Sequence, residues 1–139
     1  MTDLQVAKLR LAGNTICLCK KGECLYSVRR GISPIMGFIE SGVNLRGYSV
    51  ADTVVGKAAA LMFVKCGIKY VFAKTMSEHG RKILERNGIY YEYEILTERI
   101  INRTGTDMCP MEKAVTSTDD PEEAYAILKN KLNELKSHN

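Results

Sequence analysis

Cys109 is the residue of this sequence whose setting most favours chemistry. It directly precedes Pro110, a residue typical of the first helical position, and a helix N-terminus favours the thiolate form of a cysteine. Arg103 adds positive charge to the same segment. Because most cysteines are not nucleophiles, a packed or helix-capping role for Cys109 is the commoner alternative. Glu112 lies at capping-box distance from Cys109, which gives that glutamate a structural role.

Asp52 and Lys57 are a second candidate set, suited to acid–base chemistry. Ser49 is a favourable N-cap and Asp52 completes a capping-box pattern, so the sequence predicts a buried central helix over 50–66. Capping that helix is a sufficient structural role for Asp52. Lys57 lies in a mostly apolar stretch, and its ammonium either reaches solvent or enters a pocket beside Asp52. Gly56 leaves room for another backbone to approach closely.

Ser77 is the predicted N-cap of a helix over 78–87, and His79 lies in the first turn of that helix. A pair of Cys109 and His79 would supply a nucleophile and its base only where the two helix starts converge. A lone surface histidine is the commoner case, so both interpretations of His79 stay open.

Three further cysteines share one face of a predicted β-hairpin. A turn at residues 21–22 sets Cys19 opposite Cys24 and places Cys17 on the same face. Three neighbouring thiols could bind a metal, but their spacing matches no common zinc arrangement. Packing beneath a helix is therefore the preferred role of these cysteines.

The remaining pattern predicts alternating helices and strands around these residues. A short first helix ends at Gly13, and a helix between two strands at the observed spacing indicates a parallel crossover. Together the elements predict one layered α/β domain over 1–139, with a mixed sheet and helices on both faces. The predicted strands are 15–20, 23–29, 68–74 and 89–95, and the further helices are 31–39, 110–115 and one that begins at 119–123.

The composition is that of a soluble globular protein. The chain has 139 residues, 45% hydrophobic and 26% charged, which is enough for one core. A net charge of +4 without basic–aromatic clusters does not indicate nucleic acid as a partner. The longest apolar run is too short for a membrane span and the N-terminus has no signal-peptide pattern, so we expect a cytoplasmic protein with no membrane partner. Five cysteines, an odd number, also fit a reducing compartment.

The order of elements resembles the cytidine-deaminase-like fold. Deaminases of this kind begin their central helix with His-Ala-Glu and the next helix with Pro-Cys-x-x-Cys, and the segments 50–52 and 76–80 stand at those places. The resemblance assigns the three zinc-ligand positions and the proton-shuttling acid position, in that order, to Val50, Ser77, Gly80 and Asp52. The first three side chains cannot hold zinc together, so we expect no metal, no cofactor and no zinc-dependent deamination.

A closer resemblance covers nearly the whole chain. The combination of Ala-Asp-x-Val-Val-Gly-Lys-Ala-Ala-Ala at 51–60, Asn102-Arg103, Cys109-Pro-Met-Glu112 and Asp-Pro-Glu-Glu-Ala at 120–124 is similar to a small prokaryotic family of unknown function. Members of that family are assigned the deaminase-like fold without the zinc site. Because relatives with this fold often form oligomers, the resemblance also implies a homo-oligomer.

Strand ends and helix N-termini should meet at one edge of the sheet, so we expect one pocket there. The leading hypothesis is the binding of a nucleotide-like or other anionic small molecule. One alternative is an enzyme, and another is a non-catalytic structural or partner-binding subunit; whether the protein is an enzyme stays open. The residues assigned to the pocket are Cys109 as nucleophile, Asp52 and Lys57 as an acid–base pair, and Ser77, Asn102, Arg103 and Glu112 as ligand-binding groups.

Overall fold

The structure of the chain, a computed structural model, is described for residues 1–102 and 104–137. Arg103, predicted to bind the ligand, lies outside the described residues. Within those ranges the chain forms six helices and five strands. In chain order they are α1 Asp3–Arg10, β1 Ile16–Lys20, β2 Glu23–Ser27, α2 Ser33–Ser41, β3 Ser49–Val55, α3 Lys57–Cys66, β4 Tyr70–Ser77, α4 Glu78–Arg86, β5 Tyr90–Thr97, α5 Pro110–Ala114 and α6 Pro121–Ser137.

The five strands form one mixed sheet in the order β2-β1-β3-β4-β5. β1 is antiparallel to both β2 and β3, whereas β3, β4 and β5 are parallel to one another. The parallel crossover through α4 is therefore confirmed, as is the hairpin register that sets Cys19 opposite Cys24.

Helices cover both faces of the sheet. On one face Leu4 and Ala7 of α1, with Leu11 directly after it, pack against β1, β3 and β4. On the other face α2, α3, α4 and α6 bury the larger apolar cluster, which includes Phe63 and Leu128. The predicted three-layer α/β fold with a mixed sheet is confirmed, and it is the arrangement that the resemblance to the cytidine-deaminase-like fold implies. No helix in the described ranges is long and apolar enough to cross a membrane.

The predicted helix over 50–66 is wrong in its first half. That half forms the central strand β3, and α3 begins only at Lys57, with Gly56 as its N-cap. A central strand is buried on both faces, so its apolar residues run on without alternation and cannot be told from a buried helix by periodicity. The start of the central helix therefore lies at residues 56–58 rather than at 50–52.

The capping box assigned to Ser49 and Asp52 is wrong for the same reason. Asp52 lies within β3, where its Oδ1 accepts a hydrogen bond from the backbone N–H of Thr53 at 2.7 Å. Ser49 Oγ is buried and has no hydrogen-bond partner among the described residues. Neither side chain caps a helix.

Gly56 and Gly80 bring the starts of α3 and α4 into backbone contact. A Cβ atom on Gly80 would lie 2.9 Å from the carbonyl carbon and oxygen of Gly56, and a Cβ atom on Gly56 would collide with the carboxylate of Glu112. Gly80 therefore requires glycine, because the atoms it would meet are backbone. The predicted backbone approach at Gly56 is made by Gly80, whereas the space that a side chain at Gly56 would fill holds the Glu112 carboxylate. This junction positions the candidate site.

Candidate functional site

A cavity of about 130 Å³ opens beside the junction of α3 and α4. It lies beyond the carboxyl end of β4, which is where ligands gather in open sheets with parallel strands. Segments from the start of α3 to the residues after α5 contribute to its walls. The lining residues are Lys57, Ser77, His79, Arg99, Ile100, Met108, Glu112 and Thr116.

The short helix α5 brings Glu112 to the N-terminus of α3. Glu112 Oε1 accepts a hydrogen bond from the backbone N–H of Lys57 at 2.6 Å, and Oε2 accepts one from that of Ala58 at 2.7 Å. A helix leaves its first N–H groups unpaired, and Gly56 at the N-cap has no side chain to pair them. Glu112 therefore caps α3 from a distant part of the chain, instead of forming a capping box with Cys109.

The Glu112 carboxyl is also the acidic group of the cavity wall. Burial raises the pKa of Glu112 above its ordinary value, while the two backbone N–H bonds and the charges of His79 and Lys57 act in the opposite direction. A fixed carboxyl with a raised pKa can accept a hydrogen bond from a ligand or exchange a proton with it. Glu112 thus combines a structural role with one that faces the cavity.

Lys57 points away from Asp52. Its Nζ lies 2.9 Å from Asp119 Oδ1 and donates to the carbonyl oxygen of Thr116 at 3.2 Å. This ammonium holds the pKa of Asp119 below its ordinary value. The predicted acid–base pair of Asp52 and Lys57 is therefore not assembled, and Lys57 instead joins α3 to the segment before α6.

Ser77 fixes the start of α4 at the cavity. Its Oγ accepts a hydrogen bond from the backbone N–H of Gly80 at 3.0 Å, so the predicted N-cap is confirmed. That bond uses the oxygen only, and the hydroxyl proton can still be donated to a ligand. His79, in the first turn of α4, is exposed at the rim of the same cavity.

Cys109 lies in a neighbouring groove of about 640 Å³ that shares Ile100 with the cavity. It is half-buried as the N-cap of the five-residue α5, and its N–H donates to the carbonyl oxygen of Ile100 at 2.9 Å. His79 lines the cavity and not the groove. Among the described residues no hydrogen bond joins the Cys109 thiol to a base, so a pair of Cys109 and His79 is not assembled here.

Asn102 lines the groove as well, and its side chain organises the loop that follows. Its Oδ1 accepts hydrogen bonds from the hydroxyl of Thr104 at 3.0 Å and from the backbone N–H of Thr106 at 3.1 Å. Asn102 therefore shapes the wall of the groove.

Asp52 lines neither the cavity nor the groove. It is buried in the central strand, and burial raises its pKa to about 7, although backbone N–H groups of Thr53 and Val54 stabilise the charged form. The structure thus brings together Lys57, Ser77 and Glu112, places Cys109 and Asn102 next to them, and leaves Asp52 apart.

Sequence reasoning missed Arg99 and Asp119. Arg99 lines the cavity just beyond β5, and Asp119 pairs with both Lys57 and Arg86. Both are exposed charged residues in loops, which sequence patterns assign to solvent. The rule that ligands gather beyond the carboxyl ends of parallel strands would have indicated Arg99, because β5 ends at Thr97.

Comparison with known proteins gives a family and a fold. The family model described as a domain of unknown function, DUF1893, matches residues 5–132. The crystal structure of a DUF1893 family protein from Thermotoga maritima has 28% sequence identity and a TM-score of 0.84, over 94% of this chain and 91% of that chain. The apo dCMP deaminase from the cyanophage S-TIM5 has 15% identity and a TM-score of 0.46, over 65% of this chain and 92% of that one, a similarity too low to indicate an activity. No curated protein matches the chain.

Proposed function

Since the chain belongs to the DUF1893 family, whose function is unknown, we propose a function from the site: the protein binds a nucleotide-like or other anionic small molecule beyond the carboxyl ends of its parallel strands. The observation that carries this proposal is the presence of Arg99 and His79 on the wall of one cavity, beside Lys57, whose ammonium is paired with Asp119. Basic side chains around a concave site concentrate anions there and fix their orientation.

The anion is recognised by side chains rather than by the N-terminus of α3. The first N–H groups of that helix already donate to the carboxylate of Glu112, so they are not open to a phosphate. Arg99 is exposed and well placed to form a charge-assisted bond with an anionic group at the rim.

Glu112 gives the site a second kind of contact. Its carboxylate accepts hydrogen bonds, and nucleobase edges present N–H groups that donate them. A ligand with both N–H donors and an anionic group, as in a nucleotide, contacts both the Glu112 carboxylate and the basic side chains of the cavity. An anion without donors uses only the basic side chains.

The size of the cavity limits how much of such a ligand it can hold. A volume of about 130 Å³ lies below the roughly 300 Å³ at which pockets begin to enclose a drug-sized molecule. It suits a head group, and the remainder of the ligand would extend past Ile100 into the adjoining groove. Cys109 and Asn102 would then contact the outer part of the ligand.

Calorimetric titration tests the proposal with three probes: inorganic phosphate, a nucleoside and its 5′-monophosphate. We expect the monophosphate to bind more tightly than the nucleoside. Arg99→Ala should weaken the monophosphate about tenfold, a loss of about 1.4 kcal/mol, and leave the nucleoside unchanged. Lys82→Ala, which removes an exposed cation of α4 outside the cavity lining, is the matched control and should change nothing. Failure of every probe to bind, or equal monophosphate affinity in Arg99→Ala, would contradict the proposal.

An enzyme acting through Cys109 is the second candidate, favoured by the position of the thiol in the groove beside the cavity. A ligand seated in both would bring its outer part to Cys109. Alkylation by iodoacetamide, followed by intact-mass and peptide analysis, should then be fastest at Cys109 and slowed by the monophosphate. Equal rates at Cys109 and Cys66, unaffected by ligand, would reject a catalytic thiol.

Self-association is proposed through strand β5. This strand is at one edge of the sheet, and Tyr90, Tyr93 and Ile95 on it are exposed. An exposed edge strand offers unpaired backbone groups and apolar side chains to a second copy of the chain. A structural or partner-binding role would use the same edge. The cytoplasmic location remains a proposal from the sequence.

A further inference from the structure

Three cysteine sulfurs meet on the α1 face of the sheet, far along the strands from the cavity. The Sγ atoms of Cys17, Cys19 and Cys24 lie within 4.8 Å of one another. Cys19 and Cys24 form a disulfide bond across the β1–β2 hairpin, and Cys17 Sγ lies 3.5 Å from Cys19 Sγ. Within the described parts of the chain, no other group of three His, Cys, Asp or Glu side chains is arranged in this way.

The cluster is enclosed on most sides. Cys17 and Cys19 are fully buried, and Leu4 and Ala7 of α1 belong to the apolar layer that covers them. Cys24 is only half-buried, so it is the member that solvent and reductants reach. The site is therefore enclosed around Cys17 and Cys19 and open to solvent only at Cys24, on the edge strand β2.

The orphaned hydroxyl of Ser49 lies beside this cluster. Ser49 is the direct antiparallel partner of Cys19 in the β1–β3 ladder, so the two side chains are neighbours on one face. Its Oγ is buried and has no hydrogen-bond partner among the described residues, a costly arrangement for a polar atom. A disulfide sulfur is a poor hydrogen-bond acceptor, whereas a thiolate at Cys19 would accept a hydrogen bond from the Ser49 hydroxyl.

We propose that the reduced form of this cluster binds one Cu(I) ion through Cys17, Cys19 and Cys24. A dithiol reductant first transfers two electrons and two protons to the Cys19–Cys24 bond, which becomes two thiols while the reductant becomes a disulfide. Cu(I) then replaces the thiol protons, which leave to solvent, and the Ser49 hydroxyl donates to the Cys19 thiolate. The disulfide form does not bind the ion.

The donor set selects the metal. Soft thiolate ligands favour Cu(I), for which three sulfurs complete a trigonal site. With a metal–sulfur bond of about 2.3 Å, as for zinc, a planar three-sulfur site needs sulfurs about 4.0 Å apart. The sulfurs of Cys17 and Cys19 are close to this separation at 3.5 Å. Reduction of the disulfide releases Cys24 Sγ from Cys19 Sγ, so that it can move to the third corner. Zinc would require a fourth ligand, which no further His, Cys, Asp or Glu among the described residues supplies here.

Anaerobic titration of the reduced full-length chain tests this inference, with Cu(I) supplied from a chromophoric chelator. We expect one Cu(I) per chain in the reduced protein and none in the oxidised protein. Equimolar Zn²⁺ should not displace the copper. No uptake by the reduced protein, or displacement by Zn²⁺, would overturn the inference.

Two substitutions separate the cluster from other thiols. Cys17→Ser and Cys24→Ser should each lower Cu(I) affinity at least tenfold. Because Cys17 is buried, its substitution can also disturb folding, so the variant at the more accessible Cys24 provides an independent test. Cys66→Ser, a free cysteine of α3 outside the cluster, is the matched control and should bind as the unmodified chain does. Unchanged affinity in Cys24→Ser with retained circular dichroism would refute the three-cysteine site.

Discussion

The carboxylate of Glu112 occupies the space that a side chain at Gly56 would fill. From that position it accepts hydrogen bonds from the first two backbone N–H groups of α3. The cap of the central helix and the acidic wall of the cavity are therefore the same group, so a change at Gly56 should alter both stability and ligand binding.

Gly56→Ala should destabilise the protein by about 1–3 kcal/mol, because the new methyl group displaces Glu112 and leaves two helix N–H groups unpaired. Chemical denaturation monitored by circular dichroism measures the change. A larger side chain, as in Gly56→Leu, should cost more than alanine.

Gly37→Ala is the matched control for that substitution. Gly37 is exposed within α2, and a Cβ atom there would meet nothing within 4 Å. Alanine favours helix over glycine, so this variant should be more stable by about 0.5–1 kcal/mol. Similar unfolding midpoints for the two variants would contradict the contact between Gly56 and Glu112.

Asp52 should make the protein lose stability as the pH rises. Its pKa is about 7 in the folded chain against an ordinary 3.8, because burial disfavours the charged carboxylate. The folded state thus holds this proton more tightly than the unfolded state, and the resulting stability is present below about pH 4 and lost between about pH 4 and 7. Asp52→Asn removes the titration and should be more stable than the unmodified protein at pH 8 by roughly 2–4 kcal/mol.

Denaturation curves between pH 4 and pH 8 measure this difference. Glu40→Gln, at an exposed carboxylate of α2, should follow the unmodified protein at every pH. A pH profile of Asp52→Asn that coincides with that of the unmodified protein would show that Asp52 is not the group responsible.

The starts of α3 and α4 should hold no zinc, and the protein should not deaminate cytidine. Gly56, Lys57 and Ala58 at one helix start and Ser77 and Gly80 at the other lack the ligands that zinc prefers. Elemental analysis is best made on Cys17→Ser, because the three-cysteine cluster is then incomplete. One tightly held zinc per chain in that variant would contradict the prediction.

Ile95→Lys should weaken self-association through β5. The isoleucine is 59% exposed on the edge strand, and a lysine at such a position discourages strand pairing between copies. Light scattering after size-exclusion chromatography should show an oligomer for the unmodified chain and a monomer for the variant. Val28→Lys, at an exposed position after the opposite edge strand β2, should leave the mass unchanged.

The parts of the fold that sequence predicts well are those with local signals. The β1–β2 hairpin has its turn at residues 21–22, and α4 has Ser77 as a capping residue. The central strand β3 has no such signal, because burial on both faces removes the alternation that marks a strand. For the same reason the sequence predicts Asp52 as a helix cap, whereas it lies within this strand.

The candidate site was only partly predictable because its contacts join distant segments. Ser77 was identified from its capping pattern, which is local. The bond from Lys57 N–H to Glu112 joins residues 55 positions apart, and the ion pair of Lys57 with Asp119 joins residues still further apart. No spacing rule relates those residues. The sequence predicts that Cys109 lies at a helix start, and it is the N-cap of α5. Tertiary packing, which has no local signal, decides that this helix start faces the groove and not the cavity.

The Glu112 cap has a consequence for protein synthesis, which proceeds from the N-terminus. When Thr97 has been added, every strand of the sheet and the whole of α3 have been translated. The group that caps α3 has not, because it arrives with α5. A nascent chain at that stage has a central helix whose first N–H groups are unpaired. The segment that contains α5 must therefore leave the ribosome before α3 reaches its final stability.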